Sequence, residues 1–200
     1  QVLHEALADY DVLLMGCGLS QHPGVADFVH KALLDMPPSL SPPLVLDADA
    51  LNSFASTPDW WQRLKQDAIL TPHPGEMARL TGLSTDEIGQ HRLTTAQERA
   101  AQWGKTVVLK GAHTVVASPD RKVMVSPVAS AGLASAGTGD VLAGAIAGLV
   151  AQGLPPFAAA TCAVYLHGRA GELVEAEVGD AGMAAGDLLT ALPKVIKRIK

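Results

Sequence analysis

Short apolar runs alternate with longer mixed segments through the first half of the chain. DVLLM at Asp11–Met15, LVL at Leu44–Leu46, AIL at Ala68–Leu70 and TVVL at Thr106–Leu109 lack the alternation of a strand with one wet face. Continuous runs of this length predict strands buried on both sides, which is the habit of parallel sheets. Between them lie segments such as Thr85–Trp103, where charged and apolar residues mix at helical spacing. Strand, crossover helix and strand make the βαβ unit.

The rhythm changes after Gly111. Thr114–Ala117 and Val123–Val125 are separated only by the polar turn Ser118-Pro119-Asp120-Arg121-Lys122, which predicts a hairpin. Beyond Asp140 the pattern predicts three helices, at Val141–Gln152, Pro156–Glu177 and about Ala184–Ile199. Gly153 suits a helix stop and Pro156 a first turn. No repeat, low-complexity tract or linker divides the chain, so residues 1–200 are expected to form one domain. Few residues precede the DVLLMG strand, and part of the sheet is expected to be missing before Gln1.

Composition narrows the picture. Two hundred residues suffice for one domain that buries roughly 70% of its unfolded surface. Hydrophobic residues make up 48% but aromatics only 4%, so Ala, Val, Leu and Ile must supply most of the core. A net charge of −5 does not suit a nucleic-acid partner. No basic-then-apolar leader opens the sequence, and the longest apolar segment, Val141–Ala151, is shorter than the roughly 20 residues a bilayer needs. Membrane association is not expected, and the cytoplasm is the expected location. Cys17 and Cys162 have neither metal-ligand nor disulfide spacing and read as buried free thiols.

Candidate chemistry gathers at predicted strand ends. Ser130–Asp140 is built almost wholly of small residues and leads into an apolar helix. A first turn leaves N–H groups without intrahelical partners, and the helix dipole favours an anion there. Gly137-Thr138-Gly139 therefore reads as a phosphate cradle, or else as a helix start capped by Asp140. A carboxylate beside bound phosphate is better explained as a base accepting a proton from an attacking hydroxyl. Lys110 with Gly111-Ala112-His113-Thr114 puts a cation and a close-approach glycine at the carboxyl edge of the sheet, where ligands of such sheets bind.

Three further turns reach the same edge. Asp47 and Asp49, with Asn52 behind them, could hold Mg²⁺ through water or orient a ligand, or could cap a helix. His73 stands between Pro72 and Pro74 in a stiff loop that could present it to a substrate. Gly16-Cys17-Gly18 is a tight turn of the same kind. The histidines show no ligand spacing, and no protein-held metal is assigned.

In this order, GCGLS, LDADALN, LTPHPGEMARL, VVLKGAHT, AGLASAGTGDVLAGAIAGLVAQG and AVYLHGRAGE resemble the ADP/ATP-dependent NAD(P)H-hydrate dehydratase family, from about Asp11 to Leu192. Gly-Thr-Gly-Asp alone is shared with many ribokinase-like kinases, whereas TPHPGEMARL is specific. The resemblance implies a ribokinase-like three-layer α/β/α sandwich around a mostly parallel sheet. It implies dehydration of the S-form of hydrated NADH or NADPH, driven by ADP or ATP as co-substrate with Mg²⁺, and releasing AMP and phosphate when ADP is used. It also implies nucleotide contacts at Lys110, Gly111, Ala112, His113, Thr114 and Gly139. Contacts to the hydrate are implied at Gly18, His73 and Asp140, with Asp140 as base. Asp47 and Asn52 are candidate substrate contacts from the strand-end argument.

Homo-oligomers and a fused or cooperating epimerase are implied as partners. So is a further sheet portion before the DVLLMG strand. Two positions depart from the pattern: Ser130 stands where Asn is usual, and Cys17 where Pro is usual. The alternatives are an ATP-dependent kinase of a small heterocyclic alcohol or sugar, and a catalytically silent nucleotide-binding module.

Overall fold

The computed structural model describes residues 2–37, 39–40 and 42–199. The predicted strands are all present as β1 (Leu13–Met15), β2 (Leu44–Leu46), β3 (Ala68–Leu70), β4 (Thr106–Leu109), β5 (Val115–Ala117) and β6 (Val123–Val125). They form a sheet in simple sequence order, parallel from β1 to β4 and antiparallel from β4 to β6. Parallel neighbours in sequence order, joined by crossovers of one hand, put every crossover helix on the same face. That face carries α1 (Val2–Ala6), α2 (Pro23–Val29), α3 (Ala48–Phe54), α4 (Trp60–Arg63), α5 (Pro74–Thr81), α6 (Thr85–Gln90) and α7 (Arg92–Trp103). The other face is covered by α8 (Thr138–Ala151) and α9 (Pro156–Val178), with α10 (Ala185–Ile199) against them.

Strand side chains divide between the faces with period two. Leu44, Leu46, Leu70, Val107 and Leu109 pack against the crossover helices, while Val45, Ile69 and Val108 pack against α8 and α9. Each fully buried aliphatic side chain contributes on the order of 1.5–3 kcal/mol. This explains why the β2–β4 runs are apolar throughout: neither face meets water. Among the described residues β1 and β6 are the edge strands, and Leu13 and Leu14 of β1 are partly exposed.

Two local expectations change. The Thr85–Trp103 segment is two helices, because His91 leaves helical geometry at φ −125° and ψ 34°. Cys162 is exposed on the outer side of α9, so it is not a buried thiol. Few as they are, the aromatics concentrate: Trp60 lies 4.8 Å from Phe54 and 5.3 Å from Trp103 by ring centroids. Aliphatic residues and alanine form nearly all the remaining core. Among the described residues, no helix is long and apolar enough to cross a membrane.

Candidate active site

The carboxyl ends of β1–β4 and the start of α8 meet at one edge of the sheet. After β1, Gly16 adopts φ +130°, and a Cβ there would stand 1.7 Å from the Asp47 carbonyl oxygen. Only glycine lets the two turns nest, and the nesting sets Cys17 beside Asp47. Asp47 itself is 1% exposed, with its N–H donating to Met15 O at 3.1 Å. It is the N-cap residue of α3 but makes no side-chain cap bond, so its carboxylate is left for other partners.

The main partner is Lys110. Its Nζ lies 2.6 Å from Asp47 Oδ1 and 3.7 Å from Glu76 Oε2. Although a lysine at a strand end is commonly solvated, two buried carboxylates hold this ammonium. Such a pair is worth keeping only if more partners satisfy it, because desolvation offsets much of the attraction. Gly139 closes the group from above: a Cβ there would lie 3.4 Å from Lys110 Nζ and 3.8 Å from Asp47 Oδ2.

α8 begins without a side-chain cap. Gly137 is the N-cap at φ +84°, and Asp140 occupies the third helical position, so capping by Asp140 is not observed. The Thr138 N–H donates to Ser135 O at 3.3 Å, while no partner takes the N–H of Gly139 or Asp140 among the described residues. Asp140 is exposed. One of its oxygens, one of Asp47 and Cys17 Sγ all lie within 4.8 Å of one another. Spacing along the chain did not suggest a metal-type donor group, because the tertiary fold alone brings these three together. The Cys17 thiol is pushed up to about 12, first by burial, then by the charges of Asp47 and Asp140 and a hydrogen bond to Asp140. It is a protonated thiol inside the site rather than a bystander in the core.

Below Gly139 opens a cavity of about 410 Å³. Lys110, Gly111, Ala112, Thr114, Thr138, Gly139 and His73 line its polar side, and Val128, Leu133, Leu142 and Val164 its apolar wall. Ser130 Oγ is buried at this wall with no hydrogen-bond partner among the described residues. The Thr138 hydroxyl is spent on Leu133 O at 2.6 Å or Ser135 O at 2.8 Å, so this side chain shapes the turn. His113 sits at φ +54° in the turn before β5, its ring N at 3.1 Å from Ser126 O.

His73 has a structural task as well as a place at the cavity. Its Nδ1 accepts the N–H of Gly75 at 3.0 Å and of Glu76 at 3.3 Å, and the Glu76 carboxylate returns to the His73 N–H at 2.7 Å. This is a capping box with histidine in place of serine. Burial first, then Lys110 and Arg79, hold the His73 pKa below its usual value against the opposing pull of Glu76.

Asn52 and Asp49 do not join the cluster. The Asn52 amide donates to Asp49 Oδ1 at 3.2 Å and accepts from Arg79 Nε at 2.8 Å, which ties α3 to α5. Gly18 lies exposed at φ +71° on the rim of the β1 turn.

Several residues at the site were not singled out from sequence. Glu76 could have been, because His73 and Glu76 have the spacing of a capping pair. His167 had no such signal. It is 7% exposed on α9, and its Nε2–H donates to Thr138 O at 2.9 Å, bracing the first turn of α8. Burial lowers its pKa despite that bond.

Comparison with known proteins bears on this arrangement. The sequence model of a family described as NAD(P)H-hydrate dehydratase matches residues 1–194. A bifunctional NAD(P)H-hydrate repair enzyme, Nnr, of Moorella thermoacetica is 45% identical over 198 residues, covering 99% of this chain and 37% of that protein. An ADP-dependent (S)-NAD(P)H-hydrate dehydratase of Neisseria meningitidis is 38% identical over 194 residues, covering 96% of this chain and 64% of that protein. This chain thus spans between about a third and two thirds of these curated relatives. A crystal structure of ADP/ATP-dependent NAD(P)H-hydrate dehydratase from Bacillus subtilis, co-crystallised with ATP and Mg²⁺, superposes with a TM-score of 0.83 at 35% identity. That match covers 98% of this chain and 70% of that one. The fold is ribokinase-like. With its family model spanning nearly the whole sequence and its exposed carboxylate set on an uncapped glycine turn, the chain belongs to the NAD(P)H-hydrate dehydratase family.

Proposed function

We propose that this chain carries the nucleotide-dependent dehydration of the S-form of hydrated NADH or NADPH, with ADP as phosphoryl donor. One observation carries the reading: an exposed carboxylate, Asp140, stands beside two N–H groups without partners among the described residues at the start of α8, above a cavity sized for a ligand. Positively polarised amides suit a phosphoryl group, and a carboxylate next to them suits a base.

In this reading the nucleotide runs along Lys110, Gly111, Ala112, His113 and Thr114, its base against the apolar wall. Its outer phosphate lies at the backbone of Gly137, Thr138 and Gly139. Asp140 takes the proton of the C6 hydroxyl of the hydrate, whose oxygen forms a bond to the terminal phosphorus as the bond to AMP breaks. The ring nitrogen lone pair then expels phosphate from C6, and loss of the C5 proton restores the double bond. Gly18, Asp47 and His73 border the hydrate. The bonds of Asn52 to Asp49 and Arg79 give it a supporting role at most.

Mg²⁺ fits this donor set as an ion brought with the nucleotide. Asp47 and Glu76 share the Lys110 ammonium and Asp140 lies close to Asp47, so an arriving phosphate needs another cation to offset the repulsion. Carboxylate oxygens of Asp47 and Asp140 are hard donors that would hold Mg²⁺. It would supply charge neutralisation at the phosphates. A homo-oligomer, a cytoplasmic setting and cooperation with an epimerase belong to the same proposal. The bifunctional Moorella relative supports the last of these.

The test is a coupled assay of hydrated NADH and NADPH with ADP and with ATP. Return of the reduced-nicotinamide absorbance, with AMP and phosphate as products of the ADP reaction, is expected. A stable phosphorylated alcohol formed from a small heterocyclic substrate, with no return of absorbance, would make the chain a kinase instead.

A further inference from the structure

Arg92 stands at the start of α7 and belongs to none of the motifs above, yet its side chain ends at the proposed nucleotide loop. One nitrogen, Nη2, donates to Leu109 O at 3.1 Å and to Lys110 O at 3.2 Å. These carbonyls lie where β4 leaves the sheet and the chain swings toward β5. Buried carbonyls need donors once the ladder no longer supplies them, and a cationic donor makes the stronger bond.

The glycine after them is matched to the guanidinium. Gly111 adopts φ +138°, and a Cβ there would fall 2.9 Å from Arg92 Nη1 and 3.3 Å from its Cζ. Any other residue would strain the backbone and push the guanidinium away. No carboxylate pairs with Arg92 among the described residues, and burial lowers its pKa with no opposing neighbour. A half-buried cation without an anionic partner therefore backs the loop that runs into the cavity.

We propose that Arg92 is a positioning residue for the nucleotide: its fork fixes the course of Lys110–Thr114, and its uncompensated charge lies behind the phosphates. The proposal rests on the reading that the nucleotide occupies that loop. It separates Arg92 from a merely structural residue, because its charge acts on the ligand only when that ligand carries phosphates.

Calorimetric binding of ADP and of adenosine to wild type, R92M and R92K tests it, alongside hydrogen exchange of the Gly111–Thr114 amides without ligand. R92M is expected to bind ADP about tenfold more weakly, with adenosine binding changed by less than about twofold. R92K keeps the charge but not the fork and is expected to recover part of the loss. Both variants are expected to exchange faster at the His113 amide, which donates to Val128 O at 3.1 Å. In turnover, KM for nucleotide rises while KM for the hydrate stays. Equal losses of ADP and adenosine binding, or wild-type ADP affinity in a folded R92M, overturn the proposal. Should R92M not fold, R92K decides, and wild-type values for both its ADP binding and its exchange overturn it. A wild-type chain that binds no ADP overturns this inference together with the nucleotide reading. One that binds ADP without turning over hydrate overturns only the proposed activity.

Discussion

Two helices begin at the same edge of the sheet and end their first turns in opposite ways. α5 closes on itself: His73 takes two of its free N–H groups and Glu76, at the third helical position, folds back to the His73 amide. α8 also has an acid at its third position, but Asp140 does not fold back onto its N-cap and the turn below it stays open. The N-cap residue makes the difference. Gly137 in the left-handed region has no side chain to offer, and the first turn keeps its hydrogen-bonding capacity for something else. A sealed helix start stabilises the protein, whereas an open one is available to an anion.

The largest expected effect comes from the open end. D140N keeps shape but cannot accept the hydroxyl proton, and turnover of hydrated NADH is expected to fall about 100-fold or more, with ADP binding by calorimetry retained. Near-normal turnover would end the assignment of Asp140 as base. Next comes the turn itself. G137A forces a side chain into the left-handed region, 3.1 Å from the Ala185 methyl, and is expected to cost about 1–2 kcal/mol in urea unfolding. Unchanged stability would mean that the turn is not held in this conformation.

The sealed end is tested by a pair of variants. H73A removes the cap and is expected to cost about 1 kcal/mol, while H73N replaces one good cap with another and recovers most of it. If H73N is stable but its KM for the hydrate rises, His73 touches substrate as well as capping α5. If KM stays with the wild type, capping is its whole contribution.

A smaller effect concerns pH. The folded protein holds His167 below its usual pKa of 6.5 by burial, so the unfolded chain binds the proton more readily. The stability from neutral His167 is complete above about pH 6.5 and is lost as pH falls below that value toward the folded pKa. H167Q cannot gain the proton, and its urea midpoint is expected to fall less between pH 7 and about pH 5 than that of wild type. A parallel fall in both would show that His167 does not carry this linkage. Smallest of all, Cys17 is expected to alkylate far more slowly than exposed Cys162 at neutral pH, because a thiol pushed up to about 12 is hardly ionised. Mass spectrometry of the two peptides checks it, and equal rates would mean that burial and the neighbouring acids do not hold the thiol protonated.

The strands were legible because burial on two faces writes itself into consecutive residues, as at Val45 and Ile69. The hairpin and the last three helices were legible from turn residues and from Gly153 and Pro156. Site residues were legible where a strand end coincides with glycine, as at Lys110-Gly111 and Gly137-Thr138-Gly139. Less legible was what each side chain does there. The Thr138 hydroxyl, Asn52 and His73 all bond to their own protein, and Lys110 is engaged by Asp47, 63 residues away in sequence. Such partners share no local pattern, so no window along the chain reveals them. Arg92 and His167 escaped for the same reason, acting through carbonyls that carry no side-chain signature.

From its amino acids alone, this protein was bound to place buried strands between helices and a glycine-rich turn ahead of an apolar helix, since period, propensity and steric freedom are properties of neighbours. Folding in three dimensions decided how each carboxylate is engaged. Asp47 and Glu76 are drawn to Lys110, whereas Asp140 stays exposed and meets the Cys17 thiol. Charge pairing falls off with distance through space rather than along the chain, and only the packed sheet edge sets those distances.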